Sequence, residues 1–119
     1  MSNSKSYQDL IVWQKSMDLV ESIYQITWSF PKEEIFGLTS QMRRAAVSIP
    51  SNIAEGQSRN SNGEFRQFLG IAQGSLSELE TQLMISQRLK LISSEQMQIP
   101  IQLCQEVGKM LNGLKSSLK

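Results

Sequence analysis

The sequence predicts an all-α fold, an up-down-up-down antiparallel four-helix bundle with a kinked second helix. Apolar residues recur every three or four positions in four segments, which is the period of one helix face, and no useful length alternates like a strand. The connections between the segments are short, and short connections make consecutive helices antiparallel neighbours. We therefore predict a single domain over residues 1–119, with helices at about 8–29, 38–55, 62–89 and 94–118.

The first helix is predicted from an apolar stripe whose members are spaced three and four apart: Leu10, Trp13, Met17, Val20 and Tyr24. We expect this stripe to face the core, widened toward a second neighbour by Leu19, Ile23 and Ile26. Asp9 suits the N-cap or the first turn. Pro31 ends the helix, because the residue before a proline is pushed out of the α region.

The second helix carries an apolar stripe of the same period: Leu38, Met42, Ala45, Ile49 and Ile53. Pro50 lies inside this helix and removes the backbone hydrogen bond to Ala46, so we expect either a kink or two abutting helices. Because the periodicity continues through the proline, we favour one kinked helix. Gly56 is expected to stop the helix, and the polar run 56–63 is expected to form a loop.

The third and fourth helices each open with a capping-box pattern, which starts at Ser61 and at Ser93. Their apolar stripes are Phe65, Phe68, Ala72, Leu76, Leu79 and Leu83, and then Met97, Ile101, Cys104, Val107, Leu111, Leu114 and Leu118. Either the fourth helix proper starts at Pro100, or its first turn is kinked there. Three lysines gather toward its C-terminal end, where cations suit the helix dipole: Lys109, Lys115 and Lys119.

The composition excludes several functional classes. The chain has 12 basic and 11 acidic residues, a net charge of +1, no histidine and one cysteine. Without histidine it has no Ser-His-Asp triad, no Cys-His dyad and no His-ligated metal, so we predict no enzyme activity, no metal and no cofactor. The near-neutral charge removes the simplest argument for a nucleic-acid binder, which is a strongly basic chain. No apolar run approaches the roughly 20 residues of a spanning helix, and we expect a cytoplasmic protein without membrane contact.

A polar stripe on the second helix is the most unusual feature of the sequence. Its members are spaced three and four apart: Gln41, Arg44, Ser48, Asn52 and Glu55. The stripe is either a solvated face, a polar network packed against another helix, or a recognition surface. In the last case Arg43 and Arg44 supply its cationic part, because a guanidinium binds phosphate through two parallel hydrogen bonds.

A few further side chains are candidates for chemistry or for contacts with other molecules. Glu78 and Glu80 point away from each other on a helix, so they form no acid/base pair, but either can form an ion pair with the paired arginines of the second helix. Cys104 is interpreted as a small buried hydrophobe. Trp28 lies near the end of the first helix and can anchor the loop or a subunit contact. The candidates for nucleic-acid binding are Arg43, Arg44, Arg59 and Arg66.

Several segments resemble a known family, the bacterial 23S rRNA intervening-sequence proteins. The matching runs are residues 7–15 (YQDLIVWQK), 30–34 (FPKEE), 37–56 (GLTSQMRRAAVSIPSNIAEG) and 68–80 (FLGIAQGSLSELE). The resemblance covers about residues 7–92, and the second-helix run is its most specific part. The last helix resembles the family in pattern alone.

The resemblance implies an antiparallel four-helix bundle that assembles as a homopentameric ring, with no catalytic activity. A related protein accompanies a reverse transcriptase in diversity-generating phage elements, as a basic ring that binds nucleic acid and the enzyme. Two functional hypotheses follow for this chain. One is an oligomeric protein that binds rRNA or another structured RNA through the four candidate arginines. The alternative is a protein-interaction adaptor or accessory scaffold with no direct nucleic-acid role. In a ring, the polar stripe of the second helix can form a subunit contact as readily as an RNA contact.

Overall fold

The computed structural model describes residues 6–119, and within that range the chain forms four α-helices and no strand. The helices are α1 (Ile11–Thr27), α2 (Leu38–Gln57), α3 (Asn62–Arg88) and α4 (Ser94–Ser117). Short 3₁₀ turns at Tyr7–Asp9 and Lys32–Glu34 precede α1 and α2. None of the helices in the described range is long and apolar enough to cross a membrane.

The four helices pack as a square, so the predicted antiparallel four-helix bundle is confirmed. α2 and α3 share the most extensive contact, α1 packs on α2 and α4, and α3 packs on α4, while the backbones of the diagonal pairs stay apart. The start of α3 meets the end of α4, where the Arg66 guanidinium donates to the Leu118 carbonyl over 3.1 Å. The bundle is 49 Å long and about as wide as two helices in each other direction.

The face of α1 that meets the core differs from the predicted one. Its buried residues include Val12, Ser16, Leu19, Ile23 and Thr27. The predicted stripe lies to one side of this face, and two of its members, Met17 and Tyr24, are exposed. The prediction was wrong because buried hydroxyl groups interrupt the apolar pattern. Ser16 Oγ donates to the Val12 carbonyl, and Thr27 Oγ1 donates to the Ile23 carbonyl over 2.7 Å, so these polar groups are satisfied within the helix.

The N-terminus of α1 is also placed differently. The helix begins at Ile11, after a 3₁₀ turn that contains Asp9, and its N-cap is Leu10, which makes no side-chain capping bond. Asp9 is therefore not the N-cap. At the other end α1 stops at Thr27, two residues before the predicted limit, and Trp28 follows as its C-cap.

α2 runs through Pro50 as one helix, as predicted, but it does not stop at Gly56. The helix continues to Gln57, and Gly56 is buried inside it. The connection to α3 is correspondingly shorter than the predicted loop and comprises residues 58–61. The glycine serves close packing against α3 rather than helix termination.

Both predicted capping boxes lie at helix starts. Ser61 Oγ accepts a hydrogen bond from the Glu64 amide over 3.2 Å, and Ser93 Oγ accepts one from the Gln96 amide over 3.1 Å. Because α4 begins at Ser94, Pro100 lies inside the helix, and the alternative start at Pro100 is wrong. The core of the second half of the chain follows the predicted stripes closely, with these members buried: Ala72, Leu76, Leu79, Leu83, Met97, Cys104, Val107 and Leu111.

Candidate functional site

The polar stripe of α2 divides into a packed centre and exposed ends. Ser48 Oγ lies 2.8 Å from Ser75 Oγ on α3, and Asn52 Nδ2 donates to the Ser48 carbonyl over 2.8 Å and to Ser48 Oγ over 2.9 Å. The centre is therefore a polar network between α2 and α3, which is one of the predicted alternatives. Gln41, Arg44 and Glu55 remain exposed, and Glu55 forms an ion pair with Arg59.

A polar groove of about 350 Å³ opens beside the first half of this stripe. It lies between α2 and α3 and is lined by Gln41, Arg44, Ala45, Ser48, Ser75 and Glu78. The Arg44 guanidinium is the cation of the groove, and it makes no hydrogen bond or ion pair with any of residues 6–119. It is thus free to bind an anion, although the Glu78 carboxylate on the opposite wall limits the positive charge of the groove.

Arg43 has a structural role between α2 and α1. Its Nε donates to Thr27 Oγ1 over 2.9 Å, and its guanidinium lies 4.4 Å from the centre of the Tyr24 ring. A cation above an aromatic ring is attracted to the negative face of the π system. These two contacts direct Arg43 toward α1, and Arg43 and Arg44 together line an open groove of about 550 Å³.

Arg59 and Arg66 also contact the protein itself. Arg59 forms an ion pair with Glu55 over 2.8 Å and lies 4.9 Å from the centre of the Phe68 ring. Arg66 donates to a backbone carbonyl of the α4 end and keeps the rest of its exposed guanidinium free. Both residues lie at the end of the bundle where α2 connects to α3.

The four candidate arginines do not form one patch. α2 rises about 20 Å between Arg44 and its end at Gln57, at 1.5 Å per residue, so Arg43 and Arg44 lie well away from Arg59 and Arg66. Helical rise separates the two pairs, because the second pair follows the end of the helix that carries the first.

The predicted ion pairs of Glu78 and Glu80 with the paired arginines are absent. The ion pairs within residues 6–119 join Lys15 to Glu106 over 3.5 Å and Arg59 to Glu55. Glu80 lies on the side of α3 that faces α4, where its charge acts on Cys104. Burial, together with the Glu80 charge, raises the pKa of the Cys104 thiol to about 12, and the thiol is fully buried, as predicted.

An exposed apolar corner follows α1 and was only partly predicted. We use this name for Trp28, Ile35 and Phe36, which lie in the connection to α2. The Trp28 side chain is 82 % exposed and that of Phe36 is 94 % exposed. A groove of about 400 Å³ adjoins Trp28 and Ile35. Ile35 and Phe36 could have been recognised in the sequence as a pair of large apolar residues directly before Gly37. They lie in a segment too short to form a helix that would bury them.

The family of the chain follows from a sequence comparison. The model of the 23S rRNA-intervening sequence protein family matches residues 8–113, which include α1, α2, α3 and most of α4. The chain belongs to this family. The match confirms the predicted resemblance to the 23S rRNA-intervening sequence proteins. It also extends the resemblance from about residue 92 into the last helix.

A solved structure has the same architecture as this 23S rRNA-intervening sequence protein. It is the crystal structure of a protein of unknown function from the S23 ribosomal protein family of Bacteroides thetaiotaomicron. The two chains are 26 % identical and superpose with a TM-score of 0.79, over 88 % of this chain and 98 % of the other. A comparison with curated proteins finds no match.

Proposed function

We propose that this protein is a non-enzymatic homo-oligomer that associates with nucleic acid, with structured RNA such as rRNA as the expected partner. The observation that carries the proposal is Arg44, an exposed guanidinium without a partner among residues 6–119, beside amide and hydroxyl groups of a polar groove. Arginine, amide and hydroxyl side chains are the groups that bind phosphate and sugar oxygens. The family description, which refers to 23S rRNA, supports the same choice of partner.

The exposed apolar corner supports the oligomeric part of the proposal. Large exposed apolar patches on a small protein mark surfaces that another molecule covers. A ring of identical subunits, with five as the expected number, would cover Trp28 and Phe36 and would repeat Arg44 around its axis. Repetition concentrates a positive charge that a single chain with a net charge of +1 lacks.

Salt-dependent binding tests the nucleic-acid part. A fluorescently labelled rRNA hairpin is titrated with the protein at several salt concentrations, together with Arg44→Gln and the control Arg88→Gln. We expect binding that weakens steeply with salt, because phosphate contacts release counterions, and we expect Arg44→Gln to weaken it more than the control. No binding at low salt contradicts the proposal, and equal binding by the two variants contradicts the role of Arg44.

A protein-interaction adaptor is the second candidate, and the exposed apolar corner is the observation that favours it. An adaptor would use Trp28 and Phe36 as aromatic anchors for a different protein. Light scattering of the wild type and of Trp28→Ser/Phe36→Ser separates the two uses of the corner. A wild-type oligomer that dissociates in the double variant supports self-assembly, whereas a wild-type monomer leaves the corner to another protein.

A further inference from the structure

Two neighbouring stretches, one in α3 and one at the end of α4, form a surface whose charged side chains are basic. Residues 65–77 and 107–119 contain no acidic residue. Their cations are Arg66, Lys109, Lys115 and Lys119, and we call this surface the α3/α4 basic face. In the sequence, the three lysines were explained by the attraction of cations to the C-terminal end of the α4 dipole. This attraction acts only within the last turn of the helix, so it does not explain all three. The structure brings Arg66 of α3 to the same surface.

Hydrogen bonds between the two helices hold the α3/α4 basic face in shape. Lys115 Nζ donates to Gln73 Oε1 over 3.2 Å, and Gln73 Nε2 donates to Asn112 Oδ1 over 2.6 Å. The bond from Arg66 to the Leu118 carbonyl closes the end of the same seam. Lys115 and Arg66 each use one donor in these bonds, and Lys109 and Lys119 make no side-chain hydrogen bond among residues 6–119, so N–H groups of all four cations remain available to an anion.

Two of the acids that border this surface are directed away from it, and Glu80, which faces α4, lies beyond its end on α3. Glu106, one position before the α4 stretch, forms its ion pair with Lys15 on α1. Glu64, one position before the α3 stretch, accepts a hydrogen bond from the Ser61 hydroxyl at the N-terminus of α3 over 3.3 Å. None of the four cations forms an ion pair among residues 6–119, although the whole chain is close to neutral.

The side chains of the face fit a polyanion better than a protein. Within the two stretches the single large apolar side chain that is exposed is Ile71, and the exposed groups of α4 are lysine, asparagine, serine and glycine. Protein interfaces are depleted in lysine and depend on buried aromatic or arginine anchors. Phosphate backbones are instead bound by lysine, arginine, amide and hydroxyl groups.

The α3/α4 basic face presents no aromatic side chain, and this favours a double-stranded over a single-stranded partner. Phe65 and Phe68 are the aromatic residues of these stretches, and both lie against Gly56 on the α2 side. Single-strand binding requires aromatic rings on which the bases stack. We propose that the α3/α4 basic face binds the phosphate backbone of a nucleic-acid duplex without reading its sequence, an inference that rests on the proposed association with nucleic acid.

The dimensions of the face agree with this partner. Lys109 lies about 12 Å along α4 from its last residue, Ser117, at 1.5 Å per residue, and Lys119 follows two residues later. A duplex carries one negative charge per about 1.7 Å of its axis, so several phosphates lie within this length. Four phosphate contacts would make the logarithm of the affinity fall with the logarithm of the salt concentration with a slope of about −4.

A charge-matched pair of triple variants tests the inference. The first is Lys109→Gln/Lys115→Gln/Lys119→Gln on the α3/α4 basic face. The control is Lys32→Gln/Arg88→Gln/Lys90→Gln, three exposed cations at the opposite end of the bundle. Binding of a short RNA duplex and of an oligouridylate strand is measured over a range of salt concentrations, with circular dichroism and light scattering on every variant. Lys109→Gln alone, at an exposed position, replaces the first triple variant if that variant fails to fold.

The expected result is a loss of duplex affinity of at least about tenfold in the first triple variant, with a salt slope shallower by about 3, and a small change in the control. Lys109→Gln alone should reduce the slope by about 1. Equal losses in both triple variants, or tighter wild-type binding of the single strand, would overturn the basic-face inference and leave the proposed function standing. A wild-type protein that binds neither probe at low salt would overturn the proposed function as well.

Discussion

Gly56 of α2 and Phe68 of α3 approach so closely that a Cβ atom on Gly56 would lie 2.7 Å from the Cβ of Phe68. The same atom would lie 3.0 Å from Phe65 Cδ1. Real Cβ atoms do not come this near to another carbon, so the absence of a side chain at Gly56 permits the contact between α2 and α3, which is the largest helix contact of the bundle.

Gly56→Ala should destabilise the protein, and Gly74→Ala should stabilise it. Overpacking at Gly56 costs about 1–3 kcal/mol, which exceeds the gain in helix propensity. Gly74 is exposed inside α3 with open space around its Cα, so alanine there contributes about 0.5–1 kcal/mol. Urea denaturation measures both free energies of unfolding. Stabilisation by Gly56→Ala would show that the two helices can separate at no cost.

Gln82→Met should raise the free energy of unfolding. Gln82 is buried in α3, and its Oε1 has no hydrogen-bond partner among residues 6–119. An unsatisfied buried acceptor costs about 1–3 kcal/mol, and methionine fills a similar volume without it, so we expect a gain of about 1 kcal/mol. The matched control is Gln73→Met, which removes the bonds to Asn112 and Lys115 and should lower stability by a similar amount. The same loss in both variants would contradict this account of Gln82.

Lys90→Gly should stabilise the turn between α3 and α4. Lys90 has φ = 63°, the left-handed region, and the bonds from the Lys90 amide to the Gln87 carbonyl and from the Leu91 amide to the Ser86 carbonyl form a Schellman motif. Left-handed backbone costs a residue with a Cβ about 1–2 kcal/mol, so glycine should contribute about 1 kcal/mol. Lys109→Gly, inside α4, should instead cost about 1 kcal/mol. Thermal unfolding of both variants checks the two signs.

Alkaline pH should destabilise the wild type more steeply than Cys104→Ala. Burial and the nearby Glu80 charge raise the pKa of the Cys104 thiol from 9.0 to about 12, so between these values the folded state retains a proton that the unfolded state releases. The contribution of this thiol to stability is fully present below pH 9.0 and is lost as pH rises toward 12. Urea denaturation at several pH values compares the slopes of the two proteins.

A parallel pH dependence in both proteins would contradict the raised pKa of Cys104. A thiol-reactive disulfide reagent provides a second measurement, since only the thiolate reacts. The native thiol should react far more slowly at mildly alkaline pH than the thiol of the urea-unfolded chain.

Much of the bundle follows from local signals. The capping serines, Ser61 and Ser93, and the three- and four-residue spacing of apolar side chains place the helices to within a few residues of their observed bounds. The candidate site was less predictable. The sequence indicated which side chains of the polar stripe share a face, but it left open whether Ser48 and Asn52 face solvent or another helix, and Ser75 of α3 decides this.

Periodicity, capping and turn residues are properties of a few neighbouring positions, and they were sufficient to predict an all-α bundle, whereas the family resemblance rested on matching runs of residues. Only the neighbouring helices determine which face of α1 is buried. The hydroxyl groups of Ser16 and Thr27 donate hydrogen bonds to backbone carbonyls of the same helix and can therefore be buried, while Tyr24 is exposed. The roles of the cations also required the tertiary structure. Arg43 is directed to α1, and Arg66 joins the lysines of α4, because helices distant in sequence pack side by side and the net charge of a chain does not record where its charges meet.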